Sequence, residues 1–290
     1  ALLEDLPEYC TLIFVYNMLE YKRDGKMKKL CAALDKHVCV VEFAQQERAQ
    51  LLTELGYPAD YLEDKPACPV CGDTGYDKKG VCRCLRQYYA REQLQELSRL
   101  LPLGEARFET FRFDLYDSAE WEGYGISPRA NMERNFDVCR DFACQFSRGG
   151  GDLLLSGGTG LGKTFLSACI ARVVSESGFS VVYDTAISIF AKLENDKFRP
   201  DEETAAEVRR CESCDLLILD DLGTEMTTSF VQSALYQLVN GRMIAGRSTI
   251  ISTNLAPEEL GQRYGAAILS RIEGGYEILP FFGEDIRRKR

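Results

Sequence analysis

The chain has 290 residues, 45% of them hydrophobic, and a formal net charge of −10. That length fits about two packed domains of ~100 to 200 residues each, and the acidic balance excludes a surface coated in cations for duplex DNA, leaving nucleic-acid contact to a local basic groove. The most apolar N-terminal run, Thr11 to Leu19, is far shorter than the ~20 residues of a membrane span and follows no basic segment with a cleavage site, so the expectation is a cytoplasmic protein with no membrane partner.

Residues 1 to about 65 carry helical periodicity in Leu30, Leu34, Val38, Val41, Leu51, Leu52 and Leu55, ending at Gly56-Tyr57-Pro58. They predict a small helical module. His37, the only histidine, falls there and reads as a surface or packing residue. Residues 66–84 then hold Cys68-x-x-Cys71 and Cys82-x-Cys84, four thiols around a Gly72-Asp73-Thr74-Gly75 turn. Tetrahedral Zn²⁺ suits this set, because so small a hairpin cannot bury a core of its own and metal binding would supply its folding energy. Two disulfides are the alternative, disfavoured in a reducing compartment. A helical stripe returns over 85–101 with Leu85, Tyr88, Leu94, Leu97 and Leu101, giving an N-terminal domain of residues 1–101. Residues 102–150 read as a linker broken by Pro102, Gly104, Gly123, Gly125 and Pro128, then a leading helix from about Asn131 to Phe146.

From Gly151 onward strand and helix patterns alternate. Strands are predicted at 152–156, 180–184, 215–220, 248–253 and 276–279, which makes residues 151–290 an α/β domain: a parallel sheet with helices on both faces. Between the first strand and a helix pattern lies Gly157-Gly158-Thr159-Gly160-Leu161-Gly162-Lys163-Thr164, a match to G-x-x-x-x-G-K-S/T. In that setting the backbone N–H groups converge on a β-phosphate at the helix N-terminus, Lys163 reaches the β/γ oxygens, and the Thr164 hydroxyl ligates Mg²⁺. The expected ligand is ATP with Mg²⁺.

The apolar run Leu216 to Leu219 ends in Asp220-Asp221. Asp220 is the second candidate for Mg²⁺, and Asp221 the candidate base that orients and deprotonates attacking water. Asn254 closes the next strand, either as a γ-phosphate sensor or simply as a turn former. Arg271 and Arg287 are candidate cations for the charge that develops on a transferred phosphoryl group, which a neighbouring subunit can supply in trans. The second cysteine pair, Cys211-x-x-Cys214, abuts a buried strand and reads as structural. No serine or cysteine nucleophile signature appears, so covalent hydrolytic chemistry finds no support.

The stretch from about residue 105 to 290 resembles the AAA+ ATPases of the DnaC/DnaI helicase-loader family, which also includes the IstB transposition ATPases. Gly162-Lys163-Thr164, Leu219-Asp220-Asp221-Leu222-Gly223, Ser252-Thr253-Asn254, Ile268-Leu269-Ser270-Arg271-Ile272 and Asp285-Ile286-Arg287 carry the resemblance. Cys-Pro-Val-Cys-Gly-Asp-Thr-Gly-Tyr is similar to the zinc module preceding the ATPase in DnaI-type loaders. The resemblance implies an AAA+ P-loop core behind a helical, zinc-binding N-terminal domain, ATP hydrolysis, self-association through the ATP site, and a DnaB-family replicative helicase as partner. It makes Arg271 the arginine finger and Arg287 the second sensor, with Arg288 one step away. It also places single-stranded DNA at Phe198, flanked by Lys197 and Arg199, and at Thr228 with Phe230. Base stacking beside cations suits that role, and burial of Phe230 against the sheet is the competing reading. A transposition helper and a nucleotide-dependent helicase adaptor with incidental hydrolysis are the alternative functions.

Overall fold

The computed structural model describes residues 32, 52–58, 61, 66–78, 80–101, 103 and 106–289. Contacts divide the chain into two units, Ala1–Lys65 and Pro66–Arg290. In the first, residues 52–54 are helical, Leu52 is buried and Leu55 is exposed. Leu30, Leu34, His37, Val38, Val41 and Leu51 lie outside the described residues.

The second unit opens with a two-stranded antiparallel hairpin, β1 (Tyr76–Asp77) and β2 (Gly80–Val81), followed by α1 (Arg83–Leu97). Ala90, Gln93 and Leu97 form the buried face of α1. Gln93 is the anchor: its amide nitrogen donates to Ser175 Oγ (2.6 Å) and the Phe179 carbonyl (3.0 Å), and its oxygen accepts from the Val181 N–H (3.0 Å). The expected domain of residues 1–101 is thus divided, with the hairpin and α1 inside the unit that holds the large sheet.

Residues 106–127 are packed rather than a free linker. Two short 3₁₀ turns, Phe108–Thr110 and Phe113–Leu115, bring Phe108, Phe111 and Phe113 around Phe136, with ring centroids 5.1 to 5.3 Å apart. The breakers Gly123, Gly125 and Pro128 dominated the sequence pattern, yet the aromatic residues before them supply enough apolar area to dock the segment. Helix α2 spans Pro128–Cys144, starting earlier than expected. Ser127 caps it by accepting from the Ala130 N–H (3.2 Å), and Pro128 takes the first helical position, where its missing N–H costs nothing.

The remaining elements alternate: β3 (Asp152–Gly157), α3 (Lys163–Glu176), β4 (Val181–Thr185), α4 (Ala186–Phe198), α5 (Glu202–Ser213), β5 (Leu216–Leu222), α6 (Ser229–Ile244), β6 (Ser248–Thr253), α7 (Pro257–Tyr264), α8 (Ala266–Gly275) and β7 (Tyr276–Phe281). The five long strands form one parallel sheet in the order β4-β5-β6-β3-β7. Leu153 to Leu155, Leu216 to Leu219 and Ile250 to Ile251 are fully buried, as expected where helices cover both faces of a parallel sheet. One core gathers α2 and α3 with residues from the aromatic segment, and the other gathers α4, α6, α7 and α8. Neighbouring strands β3 and β6 send their following helices to opposite faces. That divergence places a ligand-binding crevice at their carboxyl ends.

The β5–β6 register shifts between Leu219 and Leu222, and Asp221 within the shift has φ +54°. Its N–H donates to Ser252 Oγ (3.0 Å) and its carbonyl accepts from the Thr224 hydroxyl (2.8 Å), which together hold this left-handed conformation. Among the described residues no helix is long and apolar enough to cross a membrane.

Candidate nucleotide site and cysteine centre

The glycine loop after β3 leads into α3, whose N-cap Gly162 provides no side chain for the helix's free N–H groups. Those donors and the positive end of the helix suit an anion. Two neighbours hold the loop. At Gly160 (φ +72°) a Cβ would lie 1.9 Å from Asp285 Oδ1, and the Gly160 carbonyl accepts from the Ile286 N–H (3.0 Å). At Gly162 (φ +96°) a Cβ would meet the Tyr116 hydroxyl at 2.6 Å, and that hydroxyl donates to the Leu161 carbonyl (3.0 Å). The C-terminal turn and the aromatic segment therefore brace the loop from two sides.

Lys163 is buried, and its ammonium donates to the carbonyls of Gly157 and Gly158 and to Asn254 Oδ1 (2.9 Å). Burial lowers its pKa to about 8, against the opposing pull of Asp221 and Asp220, while Arg287 pushes the same way as burial. Asn254 thus reaches the lysine of the loop, beyond any turn-forming role. Arg287 lies in the short turn Ile286–Lys289, and its charge acts on both Lys163 and Asp221.

Asp220 is almost fully buried and accepts from three hydroxyls. Thr164 Oγ1 (3.2 Å) and the Tyr183 hydroxyl (2.6 Å) donate to Oδ2, and Ser252 Oγ donates to Oδ1. In a regular strand Asp221 would face the opposite side of the sheet. The register shift interrupts that alternation at Asp221, and the charges of both carboxylates pull against the effect of burial on Lys163. Burial and the neighbouring Asp220 charge raise the Asp221 pKa above the usual carboxylate range. The donor set fits Mg²⁺ and a nucleotide triphosphate. Thr164 and Asp220 would hold the cation, and the first turn of α3 with Lys163 would hold phosphate oxygens.

Arg271 is exposed on α8, with Ile268 and Ile272 of the same helix buried. Lys197, Phe198 and Phe230 come together: the rings are 5.8 Å apart and the Lys197 ammonium lies 5.6 and 5.3 Å from their centroids. Phe198 is 63% exposed, whereas Phe230 is half-buried against the core. Arg199 ends α4, and Thr228 caps α6 by accepting from the Val231 N–H (3.2 Å), a local duty that sequence reading had not assigned. Sequence reading also missed Tyr183, which carries no motif, and Tyr116.

The Sγ atoms of Cys68, Cys71, Cys82 and Cys84 lie within 4.8 Å of one another, and all four cysteines are free thiols. The Cys68–Cys82 and Cys71–Cys84 separations are 3.8 and 3.4 Å. Tetrahedral zinc with Zn–S bonds of about 2.3 Å places its sulfurs about 3.8 Å apart. Asp73 pins the turn by accepting from the N–H groups of Ala67 (2.9 Å) and Cys68 (2.8 Å). The set fits a tetrahedral metal ion. Cys211 and Cys214 are buried instead beside Arg242, whose guanidinium donates to the carbonyls of both (2.7 and 3.1 Å).

The profile of the IstB-like ATP binding protein family matches residues 133–290. The chain belongs to that family. Within it, this IstB-like protein is 24% identical over 177 residues to the replicative helicase loader DnaC of Escherichia coli K12, covering 61% of this chain and 71% of the relative. It is 30% identical over 153 residues to the chromosomal replication initiator DnaA of Zymomonas mobilis, covering 48% of this chain and 29% of that relative. A crystal structure of the DnaC helicase loader superposes with a TM-score of 0.52 at 19% identity, over 62% of this chain and 99% of that one. Domain III of Thermotoga maritima DnaA gives 0.50 at 21% identity, over 64% and 71%. These likenesses establish the AAA+ fold of the IstB-like chain.

Proposed function

We propose that this protein is an ATP-hydrolysing switch of DNA replication that binds single-stranded DNA and loads a DnaB-family replicative helicase in the cytoplasm. The observation that carries the reading is the convergence of Lys163, Thr164, Asp220, Asp221 and Asn254 at one end of the sheet, in a chain whose relatives include helicase loaders. In the proposed mechanism, the N–H groups of the glycine loop and Lys163 bind the phosphates, and Thr164 and Asp220 hold Mg²⁺. When bound there, Mg²⁺ would supply neutralisation of the phosphate charge. Asp221 takes the proton of the attacking water, a task suited to a carboxylate with a raised pKa. Asn254 reports on the γ-phosphate, Arg287 approaches from the same chain, and Arg271 completes the site of an adjacent subunit. Residues 1–101, which include the zinc-bearing knuckle at 66–84, are the proposed helicase-docking part, and Lys197, Arg199, Phe198, Thr228 and Phe230 the proposed path of DNA.

Asp221→Asn is expected to retain ATP binding, to lose hydrolysis by ~10² to 10⁴-fold, and to stall helicase loading after assembly. Unchanged turnover would remove Asp221 as the base. Loading that survives loss of turnover would favour an adaptor with incidental hydrolysis. The IstB-like profile favours a second reading, a helper ATPase of transposition. Pull-down of a transposase in place of a helicase would support it.

A further inference from the structure

Tyr183 lies outside every phosphate motif, yet its hydroxyl reaches from β4 to the carboxylate of Asp220. It sits on the same sheet face as Asp220 and Ser252: Tyr183 pairs with Ile218, Ile218 pairs with Ile250, and the next residue on that face in each of the two latter strands is Asp220 and Ser252. The Tyr183 ring is buried in the core on that face, so its hydroxyl has one direction left, the 2.6 Å bond to Asp220 Oδ2. Asp220 Oδ2 also receives the proton of Thr164, at 3.2 Å.

A threonine hydroxyl has one proton and two lone pairs. While that proton points at Asp220, only lone pairs remain for a cation. If Asp220 rotated, Thr164 would be free to turn its proton into the crevice. Ser252 fixes one carboxylate oxygen and Tyr183 the other, so removing either frees the carboxylate on one side. Ser252 also accepts from the Asp221 N–H (3.0 Å), which ties it to backbone geometry. Among the described donors to Asp220, Tyr183 is therefore the partner whose removal perturbs the carboxylate without touching the loop or the bulge.

We propose that Tyr183 is a positioning residue for Mg²⁺: it locks the Asp220 carboxylate so that Thr164 presents its lone pairs to the cation of a bound nucleotide. This rests on the reading of the crevice as a Mg²⁺-nucleotide site. Partners of this kind commonly change metal affinity 10 to 100-fold when removed.

The test is the Mg²⁺ dependence of nucleotide binding by the full chain, read from the fluorescence of a methylanthraniloyl-labelled ATP, with Tyr183→Phe, Asp220→Asn and the double variant. Tyr183→Phe is expected to raise the half-saturating Mg²⁺ concentration about tenfold while leaving nucleotide affinity in EDTA unchanged. In the Asp220→Asn background the same substitution should add less than about twofold, because its action runs through Asp220. An unshifted Mg²⁺ titration in Tyr183→Phe, or a full tenfold shift that persists in Asp220→Asn, overturns the proposal. Wild-type protein that binds nucleotide with no Mg²⁺ dependence overturns the underlying reading instead. Should Tyr183→Phe lose its affinity in EDTA, Mn²⁺ paramagnetic resonance titration of Tyr183→His distinguishes a damaged loop from a displaced carboxylate. Mn²⁺ affinity equal to wild type would then refute the positioning role.

Discussion

Gln93→Leu removes the side chain that fastens α1 to the edge of the sheet while keeping its size and helix propensity. Three hydrogen bonds disappear, and the Val181 N–H, the Phe179 carbonyl and Ser175 Oγ lose their partner. At about 1 kcal/mol each, the loss is about 3 kcal/mol, and stranded buried groups push it upward. For a folding unit of some 200 residues, ~3 kcal/mol lowers the melting temperature by about 6 to 12 °C. The neighbouring Arg210–Glu96 pair gives an internal contrast. It is bidentate at 2.8 and 2.9 Å but half-exposed, so Arg210→Ala should cost only about 0 to 1 kcal/mol. Thermal unfolding by circular dichroism gives the melting shift, and hydrogen exchange of peptides covering residues 83–97 and 179–185 locates it. If Gln93→Leu melts within about 2 °C of wild type with unaltered exchange at Val181, the buried amide is not what joins α1 to the sheet.

The nucleotide site carries a pH signature. Burial holds the Lys163 ammonium near a pKa of about 8, and polyphosphate binds the charged form. Above pH 8 the free protein loses that proton and binding must restore it, so Kd should rise about tenfold per pH unit there. A Kd that stays flat from about pH 7.5 to 9.5 would show that Lys163 keeps its charge throughout. At the cysteine centre, freshly purified reduced protein should carry one zinc per chain, and Cys71→Ser should abolish it and speed exchange in the knuckle. Well under one zinc in the wild type would rule out the assignment. For DNA, Phe198→Ala should weaken single-strand binding by about 1 to 3 kcal/mol with unchanged ATP affinity, measured by anisotropy of a labelled oligonucleotide. Equal affinities for oligonucleotide would remove the stacking role.

What sequence made visible is what lies close along the chain or ends a periodic run. Lys163 and Thr164 follow a strand and open a helix, Asp220 and Asp221 end an apolar run, and the four cysteines fall in one short hairpin. Each is a local pattern with a fixed geometric outcome, and the strand boundaries followed for the same reason. Contacts made across the fold left no such trace. Tyr183 reaches Asp220 over 37 positions, Tyr116 reaches Leu161 over 45, and Gln93 meets Val181 over 88. A buried tyrosine or glutamine looks like any other until its partner is placed beside it. The packed aromatic segment before α2 was obscured in a different way, because glycine and proline mark turns without telling whether the turns are docked. Arg242 shows the same limit. No motif marks it, yet it is buried and serves as a bracket between α5, β6 and the cysteine pair.

The left-handed backbone at Asp221 sets chemistry against durability. A non-glycine residue held there stores strain of about 1 kcal/mol, which glycine would release while deleting the carboxylate. A laboratory selection for heat resistance alone, blind to nucleotide turnover, therefore has an easy first step at this position. Libraries evolved for shelf life should drift toward glycine at residue 221, and, on the role proposed for Asp221, their fittest members would be well-folded proteins that bind nucleotide without turning it over.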